Sequence, residues 1–539
     1  MNANSLQVNA NTVGGYFSSE QIDLLSIIRC NTIEELVNFV NNCIQVRGIY
    51  TNEELTLLIK NIGLDNVKRK IFKDYQDSMV LHDSNIEVIM KNAFQHLGIK
   101  NEDIEIILTT ISNLSQSERV SWTREYIKSN YPDRSDEIFY ALHNFRSIER
   151  DQNKAEAQYD EISVLNDNFD NFDVMILGSG RVYNVLNSFY EDDEKEKRYC
   201  FDRIKKDLDF AYQNGKQARY HSLLVQEGVD RLLEGKKPEE IKEILKNYVK
   251  ESIDFINEYN ATHKLNINGE EVGAINSVIL FNEIVSFWKN ENGEYFNIWE
   301  EKFGFIIKDL AEIFQYALEH KPDGVSFIYN EPFLEDEERR KKVFEVLGEI
   351  EQYSPGLIDT LGSQMHITLT EDEEKIERCF EDFKSFEEQT GKKVQITEFD
   401  MSLGKSQAYK VFIDNYDITL EEIYELKAEK IKNISDIINN SGVLIDEVYY
   451  WSLTDGVDFN LERVRSELLK EGKIESIDEI PTVCGGLYPT HKELVKEQQK
   501  PEIITYEEVL PQLQVEHQQT NEVQTFVEVS PQQQCKHKL

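Results

Sequence analysis

Between residues 172 and 455 the chain alternates short β-branched runs with long amphipathic stretches, and this alternation constrains the fold more than any other feature. The runs are FDVMILGSG (172–180), QARYHSLL (217–224), SVILFNEIV (277–285), GVSFIYNEP (324–332), TLGSQMHIT (360–368), KVQITEFDM (393–401) and DEVYYWSLTD (446–455). The stretches between them, such as KPEEIKEILKNYVKESIDFINEYN and EDEEKIERCFEDFKSFEEQTG, carry apolar residues at helical spacing, and several end at Gly or Pro. Strand alternating with helix requires parallel strands joined by crossovers. Seven repeats, with an eighth strand expected near Glu161 to Leu165, predict a closed α/β (β/α)8 TIM barrel rather than an open sheet. No GxGxxG or GxxxxGK[ST] follows the first run, which disfavours a nucleotide site.

The rest of the chain divides by texture. Residues 1–17 read as a flexible N-terminus and 18–150 as an all-α domain of unknown role, with Thr32 and Asn52 as N-caps before acidic residues. The barrel is expected over 160–497. The Gln/Glu-rich segment 498–539 lacks periodicity and reads as a disordered tail. The net charge of -41 argues against nucleic acid and anionic membrane surfaces as partners. The helical domain offers a surface for a protein partner. The six cysteines are scattered without CxxC or Cys/His clusters, so no metal site and no disulfide framework is expected. No basic segment followed by an apolar run opens the sequence, so a cytoplasmic location is expected, with secretion by another route left open.

In a barrel of this kind, polar residues at the C-terminal strand ends are candidates for chemistry. They gather there in this chain: Arg219 and His221, Asn282 and Glu283, Asn330 and Glu331, Gln364 and His366, Glu398 and Asp400, Trp451 and Asp455. Carboxylates, amides, imidazoles and an indole suit a sugar site better than a metal site, because an indole stacks on a pyranose while amides and imidazoles bond its hydroxyls. Strict alternation along VQITEFDM would put Glu398 and Asp400 on the side of Val394 and Ile396, where a carboxylate needs a reason. Two carboxyl groups flanking one acetal supply that reason. One protonates the leaving oxygen and the other attacks the anomeric carbon, with a separation of about 5 to 5.5 Å in the retaining route. A hydrogen bond from His366 would help keep Glu398 ionised.

These strand ends resemble glycoside hydrolase family 10, the endo-β-1,4-xylanases. QITEFD is similar to that family's Ile-Thr-Glu-Leu-Asp, SVILFNEIV to Trp-Asp-Val-Val-Asn-Glu-Ala, and GSQMH to Gly-X-Gln-X-His. FIYNEP is similar to Tyr-Asn-Asp-Tyr, WSLTD to Trp-Gly-Leu-Thr-Asp and ARYHSLL to Arg-Gly-His-Thr-Leu, in the same order over 172–455; GGLYPTHKE (485–493) lies near the usual domain end. The resemblance implies a retaining hydrolase of β-1,4-linked xylan-like polysaccharide or oligosaccharide that needs no cofactor. It implies Glu398 as nucleophile, Glu283 as acid/base, and Asn282 on the sugar 2-hydroxyl. Gln364 and His366 are implied to position the nucleophile, with His221 and Trp451 lining the cleavage subsite. His221 and Trp451 also fit plain core packing, and Asp400 and Asp455 fit structural bonds to loop amides or Arg.

Asn330-Glu331-Pro332 spells a rival acid/base motif of related barrels. Counting strands favours Glu283, since two intervening strands separate it from Glu398. The sequence departs from the family at GSGRVY (178–183), at Val225-Gln226 and at Pro332, so the catalytic pair is kept while distal subsites are rebuilt. That departure raises an alternative, a degenerate barrel serving as a carbohydrate-binding or protein-interaction module.

Overall fold

The computed structural model describes residues 6–43, 46, 50, 52–79, 99–112, 122, 126–132, 152–186, 199–226, 235–369, 371–401 and 420–453. The predicted tail at 498–539, Asp455 and GGLYPTHKE lie outside the described residues. Among the described residues, no helix is long and apolar enough to cross a membrane. The described residues form two compact units, one from residues 6–22 and 167–453, the other from residues within 23–166.

In the first unit, eight strands pair in parallel around a ring. They are β1 Thr12–Phe17, β2 Val174–Leu177, β3 Gln217–Tyr220, β4 Ile275–Asn282, β5 Ser326–Glu331, β6 Thr360–Ser363, β7 Lys393–Met401 and β8 Glu447–Tyr450. Each pairs with its successor, and β1 pairs with β8 through Thr12↔Glu447 to Gly15↔Tyr450, which closes the barrel. Helices including Asp202–Gln213, Pro238–Thr262, Glu337–Tyr353, Glu373–Thr390 and Leu420–Ser441 supply the crossovers.

The first strand corrects two expectations. Glu161 to Leu165 is helical, inside Gln152–Asp167, and the first strand is Thr12–Phe17, in the segment read as flexible. The barrel therefore begins before the helical unit, and residues 23–166 interrupt it between β1 and β2. Gly14 and Gly15 weaken this strand taken alone, yet a Cβ on Gly14 would lie 2.0 Å from the Tyr449 ring. Glycine there lets a large β8 side chain fill the barrel.

Arg219 shows which way side chains point. From β3 its guanidinium donates to Ser277 on β4 (2.9 Å), Gln395 on β7 (2.8 Å) and Glu447 on β8 (3.1 Å), and it stacks on Tyr449 at 3.5 Å. A residue that reaches β7 from β3 must cross the interior, so Gln395 faces inward, and strict alternation would turn Glu398 away from the interior. The register shift between Ile396 and Phe399 then turns the strand. Thr397 and Glu398, adjacent in sequence, both meet Asn330 of β5, whereas Phe399 packs on Tyr450. An extra residue of this kind re-aims a side chain, and here it aims a carboxylate into the barrel mouth.

The second unit contains helices Ile33–Asn42, Asn52–Ile62, Leu64–Met79, Asn101–Ser112 and most of Gln152–Asp167. Thr32 accepts from the amide of Glu35 while Glu35 bonds back to Thr32, a reciprocal cap that starts its helix. Buried Tyr75 donates to Asp23 at 2.9 Å, and Leu36, Val40, Ile71 and Phe72 are buried.

Candidate active site

The mouth of the barrel gathers all seven residues singled out as catalytic or sugar-binding. Glu398 is 2% exposed and is held on three sides. Asn330 donates to its Oε1 at 2.6 Å, Nε2 of His366 lies 3.4 Å from Oε2, and Nδ1 of His221 lies 3.9 Å from Oε1. His366 also pairs through Nδ1 with Asp400 at 3.0 Å. Burial disfavours charge on His366, but Asp400 and then Glu398 outweigh it and push its pKa up to about 10. An imidazolium therefore sits beside Glu398 near neutral pH, between two carboxylates.

Glu283 follows β4 with a left-handed φ of 60°, and its amide donates to the carbonyl of Asn330 at 3.0 Å. A non-glycine residue in that region must be held by its surroundings. Its carboxyl accepts from Gln364 at 2.9 Å. Burial, and next the charge of Glu398, raise its pKa above the ordinary carboxylate range, while the bond from Gln364 and the Arg181 guanidinium work against that rise. A chain of amides joins the two acids: Glu398 accepts from Asn330, Asn330 donates to Asn282 at 2.8 Å, and Gln364, 3.5 Å from Asn282, donates to Glu283. Gly362 makes room for this chain, since a Cβ there would lie 2.6 Å from Oδ1 of Asn330.

Trp451 stands at the wall. Its ring stacks on Tyr16 at 4.0 Å and meets His221 at 5.5 Å and His366 at 6.0 Å edge to face. His221 is held well below the ordinary histidine range by burial and by the charges of Arg181 and Arg219, so it stays neutral.

Glu331 occupies a different place. It is completely buried, its Oε1 accepts from the amides of Ile284 (2.8 Å) and Val285 (3.0 Å) and from Tyr329 (2.6 Å), and its Oε2 pairs with Arg339 at 2.8 Å. Arg339 in turn donates to the carbonyls of Pro332 and Val285, each at 2.9 Å, and to that of Ser286. The pair grips the backbone that follows Glu283, and the rival assignment of Glu331 as the acid has no geometry behind it.

Two members of the site escaped the sequence reading, and a third was named there without its role. Asn330 stood among the strand-end residues, and only its neighbours reveal that it bridges Asn282 and Glu398. Tyr16 lay in the misread first strand. Arg181 was seen only as a departure from a pattern, yet its Nη2 lies 3.4 Å from Nε2 of His221.

Residues 186–468 match the profile described as Glycosyl hydrolase family 10, over half of the chain. The chain belongs to glycosyl hydrolase family 10. The match begins after β2, which leaves β1, β2 and the interrupting helices outside it. Endo-1,4-beta-xylanase A of Thermotoga maritima is 27% identical over 165 residues, 31% of this chain and 14% of that protein. Beta-1,4-xylanase of Dictyoglomus thermophilum is 25% identical over 260 residues, 48% of this chain and 66% of its own length. The chain thus spans less than two thirds of the length of these relatives. Among solved structures, xylanase 10B of Thermotoga petrophila in complex with xylobiose is 20% identical with a TM-score of 0.39, covering 53% of this chain and 75% of that one.

Proposed function

We propose that this family 10 protein is a retaining glycoside hydrolase that cleaves β-1,4-linked xylan-like chains by double displacement. The observation that carries the reading is the pair of unlike acids joined through Asn330, Asn282 and Gln364. Glu283 has its carboxyl raised by burial and by the neighbouring Glu398, which suits a proton donor. Glu398 lies against cationic His366 and the amide of Asn330, which suits an anion.

In the first step Glu283 gives its proton to the glycosidic oxygen while Glu398 attacks the anomeric carbon. The bond to the leaving sugar breaks, and an ester to Glu398 forms. With its proton gone, Glu283 takes one from water. The resulting hydroxide attacks the same carbon, the ester breaks, and Glu398 returns as carboxylate. Asn282, Gln364, His221 and Trp451 would bind the sugar, the indole by stacking and the others by hydrogen bonds. The xylan-like substrate is taken from what the relatives are named for.

Release of phenol from aryl β-xylosides and aryl β-cellobiosides tests the reading. Glu398→Ala is expected to abolish release. Glu283→Ala is expected to slow poor leaving groups most; with a good leaving group, whose first step needs no acid, added azide should restore turnover by attacking the ester with no need of a base. Equal rates in the wild type and both variants would remove the assignment. Saturable binding of xylo-oligosaccharides without any turnover would favour the binding-module alternative, for which the altered GSGRVY segment speaks.

A further inference from the structure

His221 sits between the nucleophile and a cation, and its neighbours decide where its proton lies. Nη2 of Arg181 is 3.4 Å from Nε2 of the imidazole. A guanidinium has five donors and no acceptor, so this contact is a hydrogen bond only when Nε2 carries the lone pair. A neutral imidazole then bears its single proton on Nδ1. That nitrogen is buried, has no hydrogen-bond partner among the described residues, and lies 3.9 Å from Oε1 of Glu398. The gap is too long for a direct bond, and a buried N–H left unmet is costly.

We propose that Arg181 is a positioning residue that locks His221 as its Nδ1-protonated tautomer, so that the cleft beside Glu398 is offered a hydrogen-bond donor for a substrate oxygen. The groups around the ring agree with this. Arg181 follows β2 and Arg219 lies on β3, which ends one residue before His221; both are cations and oppose a second proton, in the same direction as burial. Glu398 on β7 is the carboxylate the ring meets, and Tyr16 on β1 and Trp451 after β8 present aromatic faces and edges. With the opposite tautomer, Arg181 would face an N–H, and the lone pair on Nδ1 would face the Glu398 anion. Both contacts would then repel.

The use of this donor rests on the glycosidase reading, but its detection does not. Heteronuclear NMR of the isotope-labelled full chain distinguishes the two tautomers of a histidine, and loss of the signal in His221→Asn assigns it. The expected result is a neutral Nδ1–H ring across about pH 5 to 8. Arg181→Met should let the Nε2–H form appear and lower kcat/KM on an aryl β-xyloside by about tenfold, the loss expected for one hydrogen bond to a charged group. Arg181→Lys, which restores a cationic donor, should bring the Nδ1–H signal back. An Nε2–H ring in the wild type, or the same tautomer in wild type and Arg181→Met, would overturn the proposal. An Nδ1–H ring in a protein without turnover would support it and count against the hydrolase reading instead.

Discussion

The chain writes Asn-Glu twice at neighbouring strand ends, as Asn282-Glu283 where β4 ends and Asn330-Glu331 as the last two residues of β5, and puts the two pairs to opposite use. Asn330 reaches into the mouth and its glutamate does not; Glu331 is locked by Arg339, Tyr329 and two amides. Glu283 has a single amide bond from Gln364 and a like charge nearby. The difference teaches that the dipeptide names no role. A carboxylate with every lone pair engaged is a strut, whereas one short of partners and next to another anion is ready to hold and release a proton.

The comparison can be broken experimentally, and the largest effect belongs to Glu398, the carboxylate that Glu283 faces across the amide chain. Glu398→Ala is expected to lower turnover of aryl β-xylosides by more than about a thousandfold, because in the proposed mechanism it deletes the attacking atom and the anion that helps raise Glu283. Steady-state kinetics would check it, and a loss below tenfold would contradict the role. Next comes Glu283→Gln, which keeps shape but not the proton. Rates on poor leaving groups should fall by about 100- to 10,000-fold. Because the acid works only while protonated and its pKa is raised, activity should decline as pH climbs through that raised value. In Glu283→Gln this alkaline limb should vanish.

Glu331→Gln should do the reverse. Removing one partner of a buried pair costs about 3 to 5 kcal/mol of stability, read as a lower denaturation midpoint. The fraction that remains folded should still show the alkaline limb. A variant of normal stability that had lost the limb would exchange the two roles. The smallest effect concerns His366, whose pKa is raised above its unfolded value. The stability it contributes is complete below about pH 6.5 and is lost as pH rises through about 10. The stability difference between wild type and His366→Gln, followed by denaturant titration, should accordingly shrink over that interval.

Much of the barrel was legible because strands β2 to β8 are β-branched runs whose ends carry the polar residues. The strand count that favoured Glu283 over Glu331 needed only their order. What escaped has physical causes. β1 is weak as a strand in isolation, since Gly14 and Gly15 gain their value from the Tyr449 ring and Leu453 pressed against them. Alternation failed in β7 because the irregularity between Ile396 and Phe399 depends on pairing with β8, which a local pattern does not record. Arg181 carries no motif; its meaning comes from a contact across 40 residues.

The position of β1 has a consequence for how this molecule comes into being. Thr12 must find Glu447, so the earliest piece of the barrel to leave the ribosome waits for the latest before either has both neighbours. Until then the nascent sheet has two open edges, and the independent helical unit is made during the delay. Deleting the first seventeen residues should therefore yield chains that stick to one another rather than a slightly shortened barrel.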